Sequence, residues 1–329
     1  MGSHVKISII IPTMNRKESL EKTLISLGKQ SYSKSDYEII ICDDVKSHDG
    51  TDKFIQDFIA SHDLNIKYFK IKTDFPGPAA ARNYGVNQAS GKIIGFIDDD
   101  CMAFPDWICT AMKTFDNQNI DIIQGSVLPM YPDFKWSNLF KIPRGVIHTQ
   151  DNGFYVTANM FLKKEAFEES NGFEERLKWG EDTDLVYRLL KTNRRIIFSE
   201  AIRVYHEMEY LDLISYCKYL RNYSYLPLQI KRNPEIREHL FMRIFSTKYH
   251  IYPLMAFFSV ISFLAGFKSV SNLLLLVSIF FYIYSRVFTD FKIHKHLLRI
   301  LFFPRNLVID SVRLYYVVKG SIKYKILLI

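Results

Sequence analysis

A chain of 329 residues, 48% hydrophobic and 15% aromatic, can hold one large domain or two smaller ones and can bury a real core, which excludes a disordered protein. Its formal charge of +8 suits phosphate-bearing ligands, anionic lipid or nucleic acid, so the placement of that charge has to decide among them. Four cysteines, Cys42, Cys101, Cys109 and Cys217, show no CxxC spacing, which argues against a disulfide framework and for a reducing compartment.

Met1-Gly2-Ser3-His4 reads as a cloning remnant, followed at once by a strand, with no signal peptide expected. That strand is the β-branched run 5–11, ended by Pro12. Leu20, Leu24 and Leu27 have helical spacing within 19–30. A second strand, 37–42, closes on Asp43-Asp44. Residues 52–61 are helical, with Phe54, Ile55, Phe58 and Ile59 on one face, and 66–71 form a third strand. Pro76-Gly77-Pro78 breaks the chain before a helix over 79–89, and a fourth strand spans 93–97. Strands separated by helices of this length predict βαβ units, hence an α/β fold with a mostly parallel sheet. Strands are also expected at 120–127 and 195–198, and a helix at 182–192 opened by Glu181.

The fourth strand ends in Asp98-Asp99-Asp100. Three adjacent carboxylates repel one another unless a cation sits among them, and hard divalent cations take oxygen ligands. Carboxyl ends of parallel strands are also where α/β sheets bind ligands, and Asp43-Asp44 falls on the same edge.

Beyond residue 250 the composition changes. Residues 251–267 carry no charge, Lys268 interrupts, and 270–285 is again uncharged and dense in Leu, Ile and Phe. Each stretch is short against a span of about 20 residues, so the pair reads as a tight hairpin, a re-entrant pair or a buried pair. Residues 286–329 hold nine Lys or Arg against two Asp, with apolar pairs Leu297-Leu298 and Phe302-Phe303 between the charges. That pattern predicts a helix on an anionic membrane surface, with the part of the chain before it on the cytoplasmic side.

Five pieces in order resemble the inverting nucleotide-sugar glycosyltransferases of family 2, whose fold is called GT-A. They are Ile9-Ile10-Ile11-Pro12-Thr13-Met14-Asn15-Arg16, Ile41-Cys42-Asp43-Asp44, Ala81-Arg82-Asn83-Tyr84-Gly85, Ala89-Ser90-Gly91-Lys92 leading into Asp98-Asp99-Asp100, and Gly180-Glu181-Asp182-Thr183-Asp184. They cover residues 5–206. The resemblance implies a GT-A catalytic domain over 5–230, with a nucleotide-binding half to about 105 and an acceptor half from 106. Residues 231–329 would then be a helical membrane-associating region with its hairpin near 251–285.

By this resemblance Asp44 would accept a hydrogen bond from the base, typically uracil, as an ionised carboxylate can. Pro12, Thr13 and Asn15 would line the base and ribose. Arg82 and Asn83 would lie beside the nucleotide or its diphosphate, where an Arg fork fits phosphate oxygens. Asp98 or Asp99 would reach the ribose or a metal-bound water, and Asp100 with His206 would hold Mn²⁺ or Mg²⁺ in the manner of a DXD motif. Asp182 matches the general base and Glu181 an acceptor-orienting neighbour; capping of the helix dipole is the plainer role for both. Asn159 matches a position near the donor sugar.

Processive members carry a Gln-x-x-Arg-Trp element that is missing here, which implies addition of one or a few sugars. Met14 stands where some relatives place an aromatic against the base. The implied substrates are a UDP-sugar and a glycan or polyprenyl-phosphate-linked acceptor in cell-surface polysaccharide biosynthesis. Oligomerisation is open. The alternatives are a non-catalytic or nucleotidyltransferase-type sugar-nucleotide binder. A nucleic-acid binder is disfavoured because the basic excess sits beside hydrophobic stretches. A dinucleotide oxidoreductase is disfavoured because no glycine follows the first strand.

Overall fold

In a computed structural model, residues 5–117, 119–133, 135–287 and 303–329 are described. The chain divides into two compact units, one of Met1–Asp133 with Pro143–Glu209, the other of Phe134–Ile142 with Tyr210–Ile329.

The first unit is built on an eight-stranded sheet. Its elements run β1 (Ile7–Thr13), α1 (Lys17–Gly28), β2 (Tyr37–Asp44), α2 (Thr51–Ser61), β3 (Ile66–Ile71), α3 (Pro78–Asn87), β4 (Ile93–Ile97), β5 (Cys101–Ala103), α4 (Trp107–Asn117) and β6 (Ile122–Met130). Then come β8 (Asn159–Lys163), α5 (Lys164–Glu169), α6 (Glu181–Lys191) and β9 (Ile196–Glu207), while two short strands, β7 (Ile142–Arg144) and β10 (Glu209–Leu211), fall at the divisions of the chain between the units. The sheet order is β3-β2-β1-β4-β8-β6-β9-β5. Strands β3, β2, β1 and β4 are mutually parallel, as the strand–helix alternation predicts. The far half is mixed, because β8 runs antiparallel to both β4 and β6. β1 and β2 read almost continuously apolar because helices cover both faces, leaving Ile7, Ile9, Ile10 and Ile11 fully buried. Each such side chain contributes roughly 1.5–3 kcal/mol of burial free energy.

Three local expectations change. Pro12 does not end β1: a parallel strand needs only alternate N–H groups on each side, and Pro12 and Thr13 stay in register with Cys42 and Asp43. β9 runs nine residues beyond 198 and takes His206 into the sheet, opposite Cys101 of β5. The strands β5 and β8 were not foreseen; β5 is too short for a periodic signal.

The second unit is helical. It contains α7 (Leu213–Tyr219), α8 (Leu226–Arg232), α9 (Ile251–Leu264), α10 (Lys268–Val287) and α11 (Phe303–Tyr324). Ile142, Leu220 and Ile309 centre its small core, packed by Tyr216, Tyr223 and Val312. The two uncharged stretches become α9 and α10, clasped by hydrogen bonds from Ser259 Oγ to Ser271 O and from Ser278 Oγ to Tyr252 O, both 2.8 Å. Among the described residues no helix is long and apolar enough to cross a membrane. Leu297-Leu298 and Phe302 lie outside the described residues.

Candidate active site

Four segments converge at the carboxyl edge of the parallel strands. They are the β1–α1 turn, the Asp98-Asp99-Asp100 turn after β4, the amino end of α3 and the amino end of α6.

Arg82 is the hub. It sits in the first turns of α3, 4% exposed, after three buried alanines. Its Nη2 donates to Asp98 Oδ1 at 2.6 Å and its Nη1 reaches Glu181 Oε1 at 3.4 Å. One buried guanidinium therefore ties the acidic turn to the opening of α6. Gly180 permits that opening: it precedes α6 at φ +80°, a left-handed conformation that side chains disfavour.

Glu181 and Asp182 start α6, where the helix dipole favours negative charge. Burial pushes the Glu181 carboxyl up to about 7, with the charge of Asp182 adding to it and Arg82 opposing it. Asp182 is also raised by burial, against the pull of Arg82 and of its hydrogen bond from Thr157. Thr157 N and Oγ1 both donate to Asp182 Oδ2, at 2.9 and 3.1 Å. That fixes the carboxylate from one side. A buried carboxylate with a raised pKa, held in one orientation, is suited to accept a proton near neutral pH.

The acidic turn has its own cations and donors. Thr13 Oγ1 donates to Asp99 Oδ2 at 2.7 Å, and Arg16 Nη1 bonds Asp99 Oδ1 at 3.3 Å and, more closely, Asp100 Oδ2. Burial pushes Asp99 up to about 7 despite Arg16. His206 Nε2 faces Asp100 Oδ1 at 3.4 Å, while its Nδ1 lies 2.8 Å from Glu207 O. A carbonyl only accepts, so Nδ1 donates to it, which leaves Nε2 as the nitrogen that faces the carboxylate oxygen. A backbone-anchored imidazole is the usual arrangement of a metal-ligating histidine. Asp100, Cys101 and His206 cluster closely enough to hold a metal ion. Burial pushes the Cys101 thiol well up, so it stays protonated and packs in the core, and the donor set that fits a hard divalent cation is Asp100 with His206. A cleft of about 500 Å³ opens beside them, lined by Arg16, Asp100, Met130, Glu207 and Glu209 among others.

The remaining residues singled out from the sequence fall as follows. Asp44 ends β2 half-buried, its Oδ1 accepting from Lys46 N at 2.8 Å. Pro12 is half-buried at the end of β1. Asn15, at φ +55°, donates its N–H to Ser47 Oγ and accepts from His48 N, so it shapes the β1–α1 turn. Asn83 spends its amide on Phe173 O and Glu175 Oε1 and accepts from Phe173 N, pinning the loop before α6 instead of facing the edge. Asn159 needs a correction of place. It is fully buried in β8, its Oδ1 taking Trp107 Nε1 at 2.8 Å and its Nδ2 bonding Ser126 O and Ile202 O. Gly125 makes the room, since a Cβ there would meet Asn159 at 2.3 Å. Asn159 thus completes the core at the β6 bulge, and Thr157 is the member of its segment that meets the carboxylates. Two contacts were missed in the sequence: Thr157, hidden beside Asn159, and Arg16, which closed the first motif without a role.

Comparison with known proteins identifies relatives in sequence and in fold. The model of glycosyl transferase family 2 matches residues 8–171. The glycosyltransferase AglE of Haloferax volcanii is 27% identical over 201 residues, 60% of this chain and 65% of its own length. The GalNAc(5)-diNAcBac-PP-undecaprenol beta-1,3-glucosyltransferase of Campylobacter jejuni is 41% identical over 95 residues, 29% of each chain. The chain therefore spans at most about two thirds of these relatives. Among solved structures, TarS 1–349 of S. aureus aligns with a TM-score of 0.54 at 18% identity, covering 98% of this chain and 92% of that one. The mannosyltransferase PcManGT of Pyrobaculum calidifontis, in complex with GDP-Man and Mn²⁺, aligns with a TM-score of 0.57 at 14% identity, covering 97% and 87%. At such identities the structures speak for the fold. The chain belongs to glycosyltransferase family 2, with a GT-A catalytic fold.

Proposed function

We propose that this chain moves a sugar, with inversion, from a UDP-sugar to a hydroxyl of a glycan carried on a polyprenyl-phosphate lipid, at the cytoplasmic face of the cell membrane. The observation that carries the reading is the buried charge relay in which Arg82 joins the acidic turn at Asp98 to the Glu181-Asp182 pair. It sets a leaving-group side and a proton-accepting side about one arginine apart. TarS has been seen with UDP and with UDP-GlcNAc, and the Campylobacter relative's name specifies an undecaprenol-linked acceptor, which supports the substrate classes.

In this mechanism Asp44 accepts from the base, and Thr13 and Asp99 close the floor beneath the ribose. A divalent cation, Mn²⁺ or Mg²⁺, held by Asp100 and His206 would supply Lewis-acid neutralisation of the diphosphate. Asp182 takes the proton of the acceptor hydroxyl as that oxygen bonds to the anomeric carbon from the face opposite the nucleotide. The bond from the anomeric carbon to phosphate breaks, and the nucleoside diphosphate leaves with the electron pair. Glu181 and Arg82 hold Asp182's neighbourhood charged and dry.

The test is thermal unfolding of the full chain. UDP with Mn²⁺ is expected to raise Tm by several degrees, UDP alone by far less, and Asp100→Ala to abolish the metal-dependent part. Equal stabilisation with and without Mn²⁺ would remove the metal from the scheme.

The membrane part rests on α9 and α10. Phe257, Phe263, Leu264, Leu273, Leu276 and Phe280 are each more than half exposed, an apolar area that water disfavours. α9 is about 21 Å long and α10 about 30 Å. Lys319, Lys323 and Lys325 on and after α11 supply attraction to anionic headgroups. Combined Phe263→Ser, Leu276→Ser and Phe280→Ser should cut flotation with phosphatidylglycerol vesicles by about tenfold or more, since each buried side chain is worth roughly 1.5–3 kcal/mol. Undiminished flotation would mean that this face does not meet lipid.

A further inference from the structure

Arg16 pairs with Asp100, the carboxylate to which the family 2 reading gives a divalent cation, through Oδ2, the oxygen that does not face His206. Its Nη1 bonds Asp99 Oδ1 at 3.3 Å and, more closely, Asp100 Oδ2; its Nη2 bonds Glu209 Oε1 at 3.3 Å. We propose that Arg16 is an internal stand-in cation, which neutralises the acidic corner of the metal-free protein and gives way when the divalent ion enters.

Three features allow the exchange. The backbone is anchored, while the side chain is held only through its terminal nitrogens. Asn15, in its left-handed conformation, is tied to Ser47 and His48, and Arg16 stands just before α1. Its side chain is 35% exposed and opens onto the 500 Å³ cleft, so it has room to swing. Glu209 is a ready second perch, itself 47% exposed and also paired with Arg144 at 2.8 Å. A guanidinium that leaves Asp99 and Asp100 therefore keeps a carboxylate partner, and the corner trades one cation for another without stranding a charge. The acidic turn is never left as bare adjacent carboxylates. The fork of an arginine matches two carboxylates at once, which a hydrated lysine does less well.

The thermodynamic consequence is a tax on metal binding. If Arg16 holds the corner about 90% of the time, the binding-competent fraction is about 10%, and removing Arg16 tightens the ion roughly tenfold. A residue that merely helped to shape the site would do the opposite.

The inference rests on the metal site proposed above, so the experiment separates the two. Free Mn²⁺ would be followed by electron paramagnetic resonance during titration of the nucleotide-free full chain, wild type against Arg16→Gln and Arg16→Lys. The expected result is about tenfold tighter binding in Arg16→Gln, a smaller gain in Arg16→Lys, and a lowered Tm in both that Mn²⁺ restores. Glu209→Gln, which removes the perch, should weaken Mn²⁺ binding. Unchanged or weaker binding in Arg16→Gln overturns the stand-in role while leaving the metal site in place; should that variant not fold, unchanged or weaker binding in Arg16→Lys does the same. No Mn²⁺ binding by the wild type or any variant overturns both.

Discussion

Replacing Asp182 with asparagine is expected to cut sugar transfer by roughly 10²–10⁴-fold, the range for loss of a well-placed general base, while UDP stabilisation with Mn²⁺ stays as in the wild type. The amide keeps the shape of the side chain, and its oxygen can still accept from Thr157 N and Oγ1, where Oδ2 now does. Only the capacity to take a proton is lost. The pH dependence has a definite sign. Asp182 and Glu181 share raised pKa values, Glu181 up to about 7, and the base works only when deprotonated. Activity should therefore rise with pH through a limb lying above the ordinary carboxylate range, and the pair titrates as a unit. Steady-state rates from pH 5 to 8.5 would show it. A variant that transfers within about twofold of wild type would exclude Asp182 as the base, since even the low end of the range is 10².

Much of this was legible in the chain, and the limits have physical causes. The parallel half of the sheet followed from alternation alone, because a strand buried on both faces is continuously apolar and a crossover helix leaves a period of 3.6 residues. β3 and β4 fall where the pattern puts them, since Gly, Pro and charge punctuate both ends. The antiparallel half was harder. β8 enters the sheet through contacts distant in sequence, and β5 spans three residues, too few for any period. Site residues behave in the same way. The carboxylates announce themselves, because charge at the end of an apolar strand needs a reason. The function of an asparagine does not show, because the same amide serves a ligand or a core equally well. Asn159 went to the core through Trp107, Ser126 and Ile202, and Asn83 to a loop, and none of those partners is near it in the sequence. Arg16 and Thr157 illustrate the converse: each gains its importance only from the carboxylates that the fold brings to it.

Arg82 should be the most costly single charge to remove. Arg82→Gln leaves Asp98, Glu181 and Asp182 facing one another with their shared cation gone, and breaking a buried pair from one side costs roughly 3–5 kcal/mol. Arg82 also lies 5.9 Å over the Phe173 ring, so some of the loss could come from packing. The pH dependence tells the two apart. Arg82 lowers the pKa values of both α6 carboxylates, so its removal raises their folded-state values further above those of the unfolded chain. Groups of that kind stabilise the fold at low pH and cease to do so as pH rises through the folded pKa. The deficit of the variant should accordingly be small at pH 5 and large at pH 8, as read by urea denaturation. Arg82→Lys should recover part of it by restoring a charge, yet not all, because one ammonium does not span Asp98 and Glu181 as the fork does. In either variant the activity limb should move to higher pH. A deficit equal at pH 5 and pH 8 would assign the loss to packing on Phe173, and with it would fall the coupling between the acidic turn and the proton acceptor on which the proposed reaction depends.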